Sequence, residues 1–395
     1  MNIKLPDEVI FALELIEKHG FEAYLVGGCV RDFVMGKIPH DFDIATSCLP
    51  SNIRDIFKDF SNFDQGIKHG TVGVIINNRL IEITTYRIDG EYLDARHPSS
   101  VSFTTSLLED LKRRDFTMNA LALNKNLEIV DYFNGIEDIK NKRIRAVGNP
   151  YMRFNEDALR VLRALRFAST LDFKIEEETS KAIFECYHLL EKISVERIYI
   201  ELKKLIVGLN VGLILKKFQS VFELIFNISF VNYDLILNSI DELEKDIVTR
   251  LAYLLSSKFV RKDAKSILRN LKVDNFTINQ ITSLLENIDI EISNKVSIKK
   301  VLKHLDEDIF LKLIDIKKVI DKDLYQNELI LFNQIIKNKE CYKLKHLAIN
   351  GYDLNDLGIE GKRVGEILDL LLNLVIEEKL DNNKKILLDY VNKIK

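Results

Sequence analysis

The five prolines of this 395-residue chain, Pro6, Pro39, Pro50, Pro98 and Pro150, all lie in its first 150 residues, together with ten of its sixteen glycines. Proline breaks helices, and proline and glycine punctuate turns, so the first part must be built of short mixed elements while the remainder is free to run as long helices. A chain of this length buries enough apolar surface for several compact units. Its 47% hydrophobic and 30% charged residues are the composition of a soluble globular protein. No apolar run approaches the roughly 18 residues that span a bilayer, and MNIKLPDEVI lacks the basic-then-apolar order of a signal peptide. Cys29, Cys48, Cys186 and Cys341 are scattered without metal-type or redox-type spacing. Reduced thiols and a cytoplasmic location are the expectation, with no membrane partner.

Within the first part, EAYLV (22–26), FDIAT (42–46), TVGVIIN (71–77) and RLIEITTY (79–86) read as strands, the last two joined at Asn77-Asn78 as a hairpin. Asp7 to His19, Val30 to Met35 and Ser51 to Phe60 have helical spacing. This is a small α/β sheet domain. Residues 87–102, RIDGEYLDARHPSSVS, lack periodicity and are expected to be a long loop of the functional kind. Beyond it, Asn149 caps a helix that Pro150 opens. SVERIYIELKKLIVG, DELEKDIVTRLAYLL and GEILDLLLNLVIEEKL then carry apolar residues at three-and-four spacing and read as packing helices.

The densest chemistry lies in LVGGCVRDFVMGKIPHDFDIAT. A strand ends at Gly27-Gly28, where the backbone can approach a ligand closely. The amides there, the start of the next helix and Arg31 suit a triphosphate. Asp41 and Asp43 alternate with Phe42, so both carboxylates share one face of the next strand. Such a pair either sits at a solvated strand end or holds a hard cation, for which Mg²⁺ shared with substrate phosphates is the usual occupant.

The net charge of −3 gives no global sign of a nucleic-acid partner. Charge is unevenly spread, however: Lys140, Lys142, Arg143, Arg145, Arg153, Arg160, Arg163 and Arg166 are opposed over that stretch only by Glu156 and Asp157. This is either a solvated basic face or a local cationic strip. A helix over 155–168 puts Asp157, Arg160, Arg163 and Arg166 along one slowly drifting ridge, either as intrahelical pairs of Arg160 with Glu156 and Asp157 or as a recognition edge.

The Gly-Gly and Asp-x-Asp string resembles the signature of the polymerase-β-like nucleotidyltransferase superfamily, specifically class II CCA-adding enzymes and bacterial poly(A) polymerases. LEDLKRRDFTMNALAL (108–123), DYFNGIEDIKNKRIR (131–145), NEDALRVLRALRFA (155–168) and SVERIYIEL (194–202) are similar to further motifs of that family, in its order. NGYDLNDLGIEGKRVGEILDLLLNLVIEEKLDNNK (350–384) resembles the C-terminal signature of the bacterial CCA-adding enzymes, except that Glu360-Gly361-Lys362 stands where the family usually has Pro-Gly-Pro.

The resemblance implies an α+β architecture: a nucleotidyltransferase sheet domain as head over residues 1–146, then all-helical neck (147–205), body (206–315) and tail (316–395), the tail holding tRNA. It implies addition of C, C and A from CTP and ATP to the 3′ end of tRNA with release of pyrophosphate, by a two-metal Mg²⁺ mechanism on the catalytic, metal-binding pair Asp41 and Asp43. Gly28, Arg31, Arg114, Asp157, Arg160, Arg163 and Arg166 are the implied nucleotide-binding residues, with Asp157 and Arg160 reading the base. Glu82, on a neighbouring strand, is a further carboxylate of the third-ligand or base kind. The full-length 87–103 segment favours an enzyme that adds the terminal A. Poly(A) or A-only addition shares the same motifs, and a non-catalytic RNA-binding module is the alternative of a different class. A phosphohydrolase built on His40-Asp41 is disfavoured, because the other histidines form no matching cluster.

Overall fold

The computed structural model describes residues 5–39, 41–64, 66, 70–90, 100–321 and 325–394. It divides into two compact units, Met1–Phe230 and Val231–Lys395.

The first unit opens with α1 (Asp7–Lys18), whose Val9, Ala12, Leu13 and Ile16 form the buried stripe of an amphipathic helix. Next come β1 (Ala23–Val26), α2 (Gly28–Val34), β2 (Asp43–Thr46), α3 (Pro50–Ile56), β3 (Ser61–Asp64), β4 (Thr71–Ile76) and β5 (Arg79–Thr85). A short ribbon, β6 (Arg87–Asp89) with β7 (Val101–Phe103), leads to α4 (Leu107–Lys112), β8 (Leu121–Leu123), β9 (Ile129–Asp131), α5 (Gly135–Lys140) and β10 (Arg143–Ile144). The main sheet has seven strands in the order β3-β4-β5-β2-β1-β8-β9. Only β2 and β5 run parallel; the other pairs are antiparallel. Val26, Ala45, Tyr86, Leu107, Leu111, Ala120, Ala122 and Val147 form one apolar cluster that fixes α4 to the sheet.

The four expected strands are present, each within a residue or so of its expected ends. Asn77 and Asn78 both adopt positive φ, 47° and 64°, which is the two-residue turn whose twist matches a hairpin. The long-loop reading of 87–102 needs correction at its ends. Arg87–Asp89 and Val101–Phe103 pair as antiparallel strands, so the segment is the stem of a ribbon; residues 91–99 lie outside those described.

Helices then dominate: α6 (Pro150–Glu156), α7 (Leu159–Leu171), the two-residue β11 (Lys174–Ile175) returning parallel to β10, α8 (Glu177–Cys186), α9 (Val195–Ile206), α10 (Val211–Lys217) and α11 (Gln219–Phe226). Asn149 caps α6 as expected, its side chain accepting from the Met152 N–H at 3.1 Å, with Pro150 in the first turn. The single helix expected over 155–168 is instead two. Asp157 has extended backbone (φ −138°, ψ 102°), and its carboxylate accepts from the Leu159 N–H at 3.1 Å, starting α7 as a new helix.

In the second unit the described residues form helices and turns. Several helices are started by short polar side chains: Asp246 accepts from Thr249 N–H, Asp274 from Thr277 N–H, and Asn294 with Ser297 and Asn350 with Asp353 close capping boxes. Leu371, Leu372, Ile376, Leu387 and Val391 anchor its C-terminal core. Gly361 precedes the helix Lys362–Ile376 at φ 63°, so a glycine-dependent turn survives where flanking prolines are absent. No described helix is long and apolar enough to cross a membrane.

Candidate active site

At the end of β1 the chain turns at Gly27, whose φ of 77° and ψ of −132° admit glycine alone without strain, and α2 begins at Gly28. A Cβ on Gly27 would stand 3.2 Å from Arg114 Nη1, and one on Gly28 3.7 Å from Arg31 Nη2. Two guanidinium groups therefore lie over the two glycines. Arg31 donates to Asp32 Oδ1 from Nε and Nη2 (2.9 and 2.7 Å) and to Asn119 Oδ1 from Nη1 (3.1 Å).

β2 lies between β1 and β5, in register Val26↔Asp43 and Asp43↔Glu82. β2 begins at Asp43, so Asp41 lies just ahead of the strand and not on it; Phe42 between them is buried, and both carboxylates line the same cleft. Glu82, directly opposite Asp43 on a parallel strand, faces the same way. The protein packed around the Asp43 carboxyl pushes its pKa up to about 6, helped by the like charges of Glu82 and Asp41 and opposed by Arg114. A cation relieves that repulsion, so the donor set suits a divalent metal. Among the described residues no group of three or more His, Cys, Asp or Glu is gathered closely enough to hold one, and Glu82 stands opposite Asp43 in the sheet register. His40 lies outside the described residues.

Arg114 follows the end of α4. Its Nη2 donates to Asp110 Oδ2 at 3.2 Å, while Arg113 donates to Oδ1 of the same carboxylate at 2.7 Å. Burial alone would raise the Asp110 pKa, but Arg114 and Arg113 outweigh it and hold the group below its ordinary range. Asp115 turns the other way, into the protein. Arg163 reaches its Oδ2 from Nε and Nη2 (2.9 and 2.6 Å), Asn119 donates to Oδ1 (3.1 Å), and these outweigh burial to bring its pKa down to about 2. Glu201 on α9 closes the cluster, taking Arg163 at 3.3 Å and Arg166 at 2.5 Å.

These groups line one cleft of about 500 Å³, walled by Gly27, Gly28, Arg31, Asp41, Asp43 and Arg114 from the sheet side and Arg163, Arg166, Phe167 and Lys204 from α7 and α9. Asp157 and Arg160 are not in its lining. Asp157 pairs with Arg197 at 3.0 Å, and Arg160 donates to Glu156 (2.6 Å) and to the carbonyls of Arg153 (3.0 Å) and Arg113 (2.8 Å). The Glu156–Arg160 pair anticipated along the ridge is present, whereas an Asp157–Arg160 pair is replaced by Asp157–Arg197, because the helix break turns Asp157 away. The basic strip is also largely neutralised: Arg143 and Arg145 meet Asp138, and Lys142 meets Asp172. Sequence reasoning missed Asp115, Asn119, Phe167, Glu201 and Lys204. Four of them lie within motifs already quoted; Lys204, exposed on the cleft wall with no ion pair among the described residues, follows just after one.

An Asp pair at the centre of a mixed sheet, facing a Gly-Gly turn and a wall of guanidinium groups, defines the class of nucleotidyltransferases. Comparison with known proteins agrees. A Poly A polymerase head domain model matches residues 23–145, an RNA and SrmB-binding-site model of polymerase A residues 172–217, and a tRNA nucleotidyltransferase domain 2 model residues 242–391. CCA-adding enzymes of Enterococcus faecalis and Lactococcus lactis subsp. cremoris are each 40% identical, the first over 98% of this chain and 97% of its own length, the second over 99% and 98%. The structure of the Bacillus stearothermophilus CCA-adding enzyme in complex with CTP matches at a TM-score of 0.82 and 29% identity, covering 99% of this chain and 98% of that one. The Thermotoga maritima CCA-adding enzyme complexed with tRNA shares the fold at a TM-score of 0.72 and 21% identity. The chain belongs to the family of CCA-adding enzymes.

Proposed function

We propose that this protein adds C, C and A in turn to the 3′ end of tRNA from CTP and ATP, releasing pyrophosphate, in the bacterial cytoplasm. The observation that carries the reading is the cleft itself, in which Asp41 and Asp43 face Gly28, Arg31 and Arg114 across a space of about 500 Å³. The domain roles follow the same reading: head 1–146, neck 147–205, body 206–315 and tail 316–395, with the tail half gripping tRNA by backbone and A-form shape.

Asp41 and Asp43 are the catalytic carboxylates and would hold two Mg²⁺ ions, which would supply Lewis-acid activation of the 3′-hydroxyl and charge balance for the leaving pyrophosphate. The amides after Gly27 and Gly28, with Arg31 and Arg114, bind the triphosphate and orient its α-phosphorus toward the attacking hydroxyl. Arg163 and Arg166 meet the phosphates or ribose from α7. Asp115, Asn119 and Glu201 hold these guanidinium groups in place.

Asp157 and Arg160 read the base. Cytosine and adenine each present an exocyclic amine beside a ring-nitrogen acceptor, so a carboxylate accepts from the first while a guanidinium donates to the second. Uracil and guanine present the reverse and leave both side chains facing their own kind. Asp157 is paired with Arg197, and Arg160 with Glu156 and two carbonyls, so base binding requires Asp157 to share or exchange its partner. Replacing Asp157 by Ala removes the amine acceptor. We expect discrimination of CTP against UTP, measured as the ratio of kcat/KM values, to fall on the order of tenfold or more. Unchanged discrimination would refute this assignment of the pair.

A further inference from the structure

Phe167 lies one residue beyond Arg166 on α7, lines the cleft and is only 4% exposed. Three guanidinium groups converge on its ring. The Cζ of Arg166 is 3.8 Å from the ring centroid, that of Arg31 5.2 Å and that of Arg163 5.5 Å. Phe116 meets the same ring edge-on, with centroids 5.9 Å apart and planes at 85°, and so fixes its orientation from behind.

Three like charges around one point repel each other. Carboxylates neutralise them individually: Asp32 takes Arg31, Asp115 takes Arg163, and Glu201 takes Arg163 and Arg166. Arg31 shares none of these carboxylates with the other two arginines. The ring of Phe167 is the element common to all three. A phenyl face attracts a guanidinium through its quadrupole without consuming in-plane N–H donors. A carboxylate at the same place would occupy those donors and cancel the charge, and an aliphatic side chain would fill the volume without attracting it.

We propose that Phe167 is a positioning residue, a shared aromatic platform that gathers Arg31, Arg163 and Arg166 into one polyphosphate-binding cluster with donors left over for the ligand. The proposal rests on reading the cleft as the triphosphate site. Arg31 comes from α2 and the other two from α7, so the ring also ties the helix after the Gly-Gly turn to the first long helix beyond the sheet.

The test uses the full-length protein with phenylalanine analogues at position 167 bearing one, two or three ring fluorines, which weaken the quadrupole stepwise at nearly constant shape, beside Phe167→Leu. Kd for inorganic triphosphate is measured directly, and KM and kcat for CTP on tRNA lacking its 3′ end, with a thermal midpoint for each variant. We expect Kd and KM to climb with each fluorine, about tenfold across the series, while kcat changes less than about threefold and the midpoint holds. A Kd that stays flat across the fluorinated proteins would overturn the proposal, since packing alone does not sense ring charge. If the fluorine trend in Kd appears but even the unsubstituted protein extends no tRNA, the platform stands and the assignment as a CCA-adding enzyme fails.

Discussion

Asp115 has nothing in its immediate sequence to separate it from the other acidic residues, yet it is buried and bound by Arg163, a partner supplied by a different helix. Its folded pKa of about 2 lies below the ordinary Asp value near 3.9, so the folded state binds fewer protons than the unfolded one through this window. The group therefore contributes stability in full above about pH 4 and loses it as pH falls toward 2, an effect of roughly 2–3 kcal/mol. Replacing Asp115 by Asn should flatten that part of the stability-versus-pH curve in denaturant titrations. It should also lower stability at neutral pH by about 3 kcal/mol, because Arg163 is left without its closest carboxylate. An Asn variant with the parent's acid sensitivity would show that the pair does not carry it. At this scale the common place of Gly28, Arg31, Asp41 and Asp43 in the cleft follows from short spacings along one turn and the strand after it, whereas Arg114, more than seventy residues beyond Asp43, was reached only through the family resemblance. Asp115, Glu201 and Phe167 were not legible, because what makes them matter is a contact across elements.

Elements were legible in proportion to how local their signals are. Asn77-Asn78 between two apolar strands announced a hairpin, and both residues adopt the left-handed backbone that such a turn demands. β8 and β9 are three residues each, too short for alternation to show, and are fixed by pairing with β1 and with each other. β6 and β7 pair across more than ten intervening residues, too far apart for any two-residue turn signal such as Asn77-Asn78 to announce them. The break between α6 and α7 has no glycine or proline to mark it; Asp157 ends α6 in extended backbone, and its carboxylate accepts from the Leu159 N–H two residues on. Asn149, by contrast, reads as a cap beside Pro150 and is one. Asn149→Ala should cost about 1 kcal/mol in chemical denaturation while leaving KM for CTP unchanged, since the Asn149 side chain accepts from the Met152 N–H at the start of α6 and is not in the cleft lining. A loss below a few tenths of a kcal/mol would mean that the cap adds nothing to the start of α6.

At the scale of the whole molecule, the proline distribution correctly separates a sheet-containing part from a helical remainder, but it does not mark the division into Met1–Phe230 and Val231–Lys395. Helices α6–α11 belong to the first unit although their sequence resembles the helical second half, because α7 and α9 supply the cleft wall opposite the sheet. Net charge was uninformative for a related reason. The cleft arginines are paired with carboxylates beside them, Asp32, Asp115 and Glu201, so a chain total of −3 does not register them. If this cleft builds CCA on tRNA through Asp41 and Asp43, the products themselves will show it. The purified protein and an Asp41→Asn/Asp43→Asn variant are incubated with Mg²⁺ and tRNA lacking its 3′ end, with CTP, ATP or both, and the products are sized to single-nucleotide resolution. We expect two added residues with CTP, three with both nucleotides, and a variant that folds normally but is at least a hundredfold slower. Long A tails, A addition only to CC-ended tRNA, or full activity without the two carboxylates would contradict this expectation.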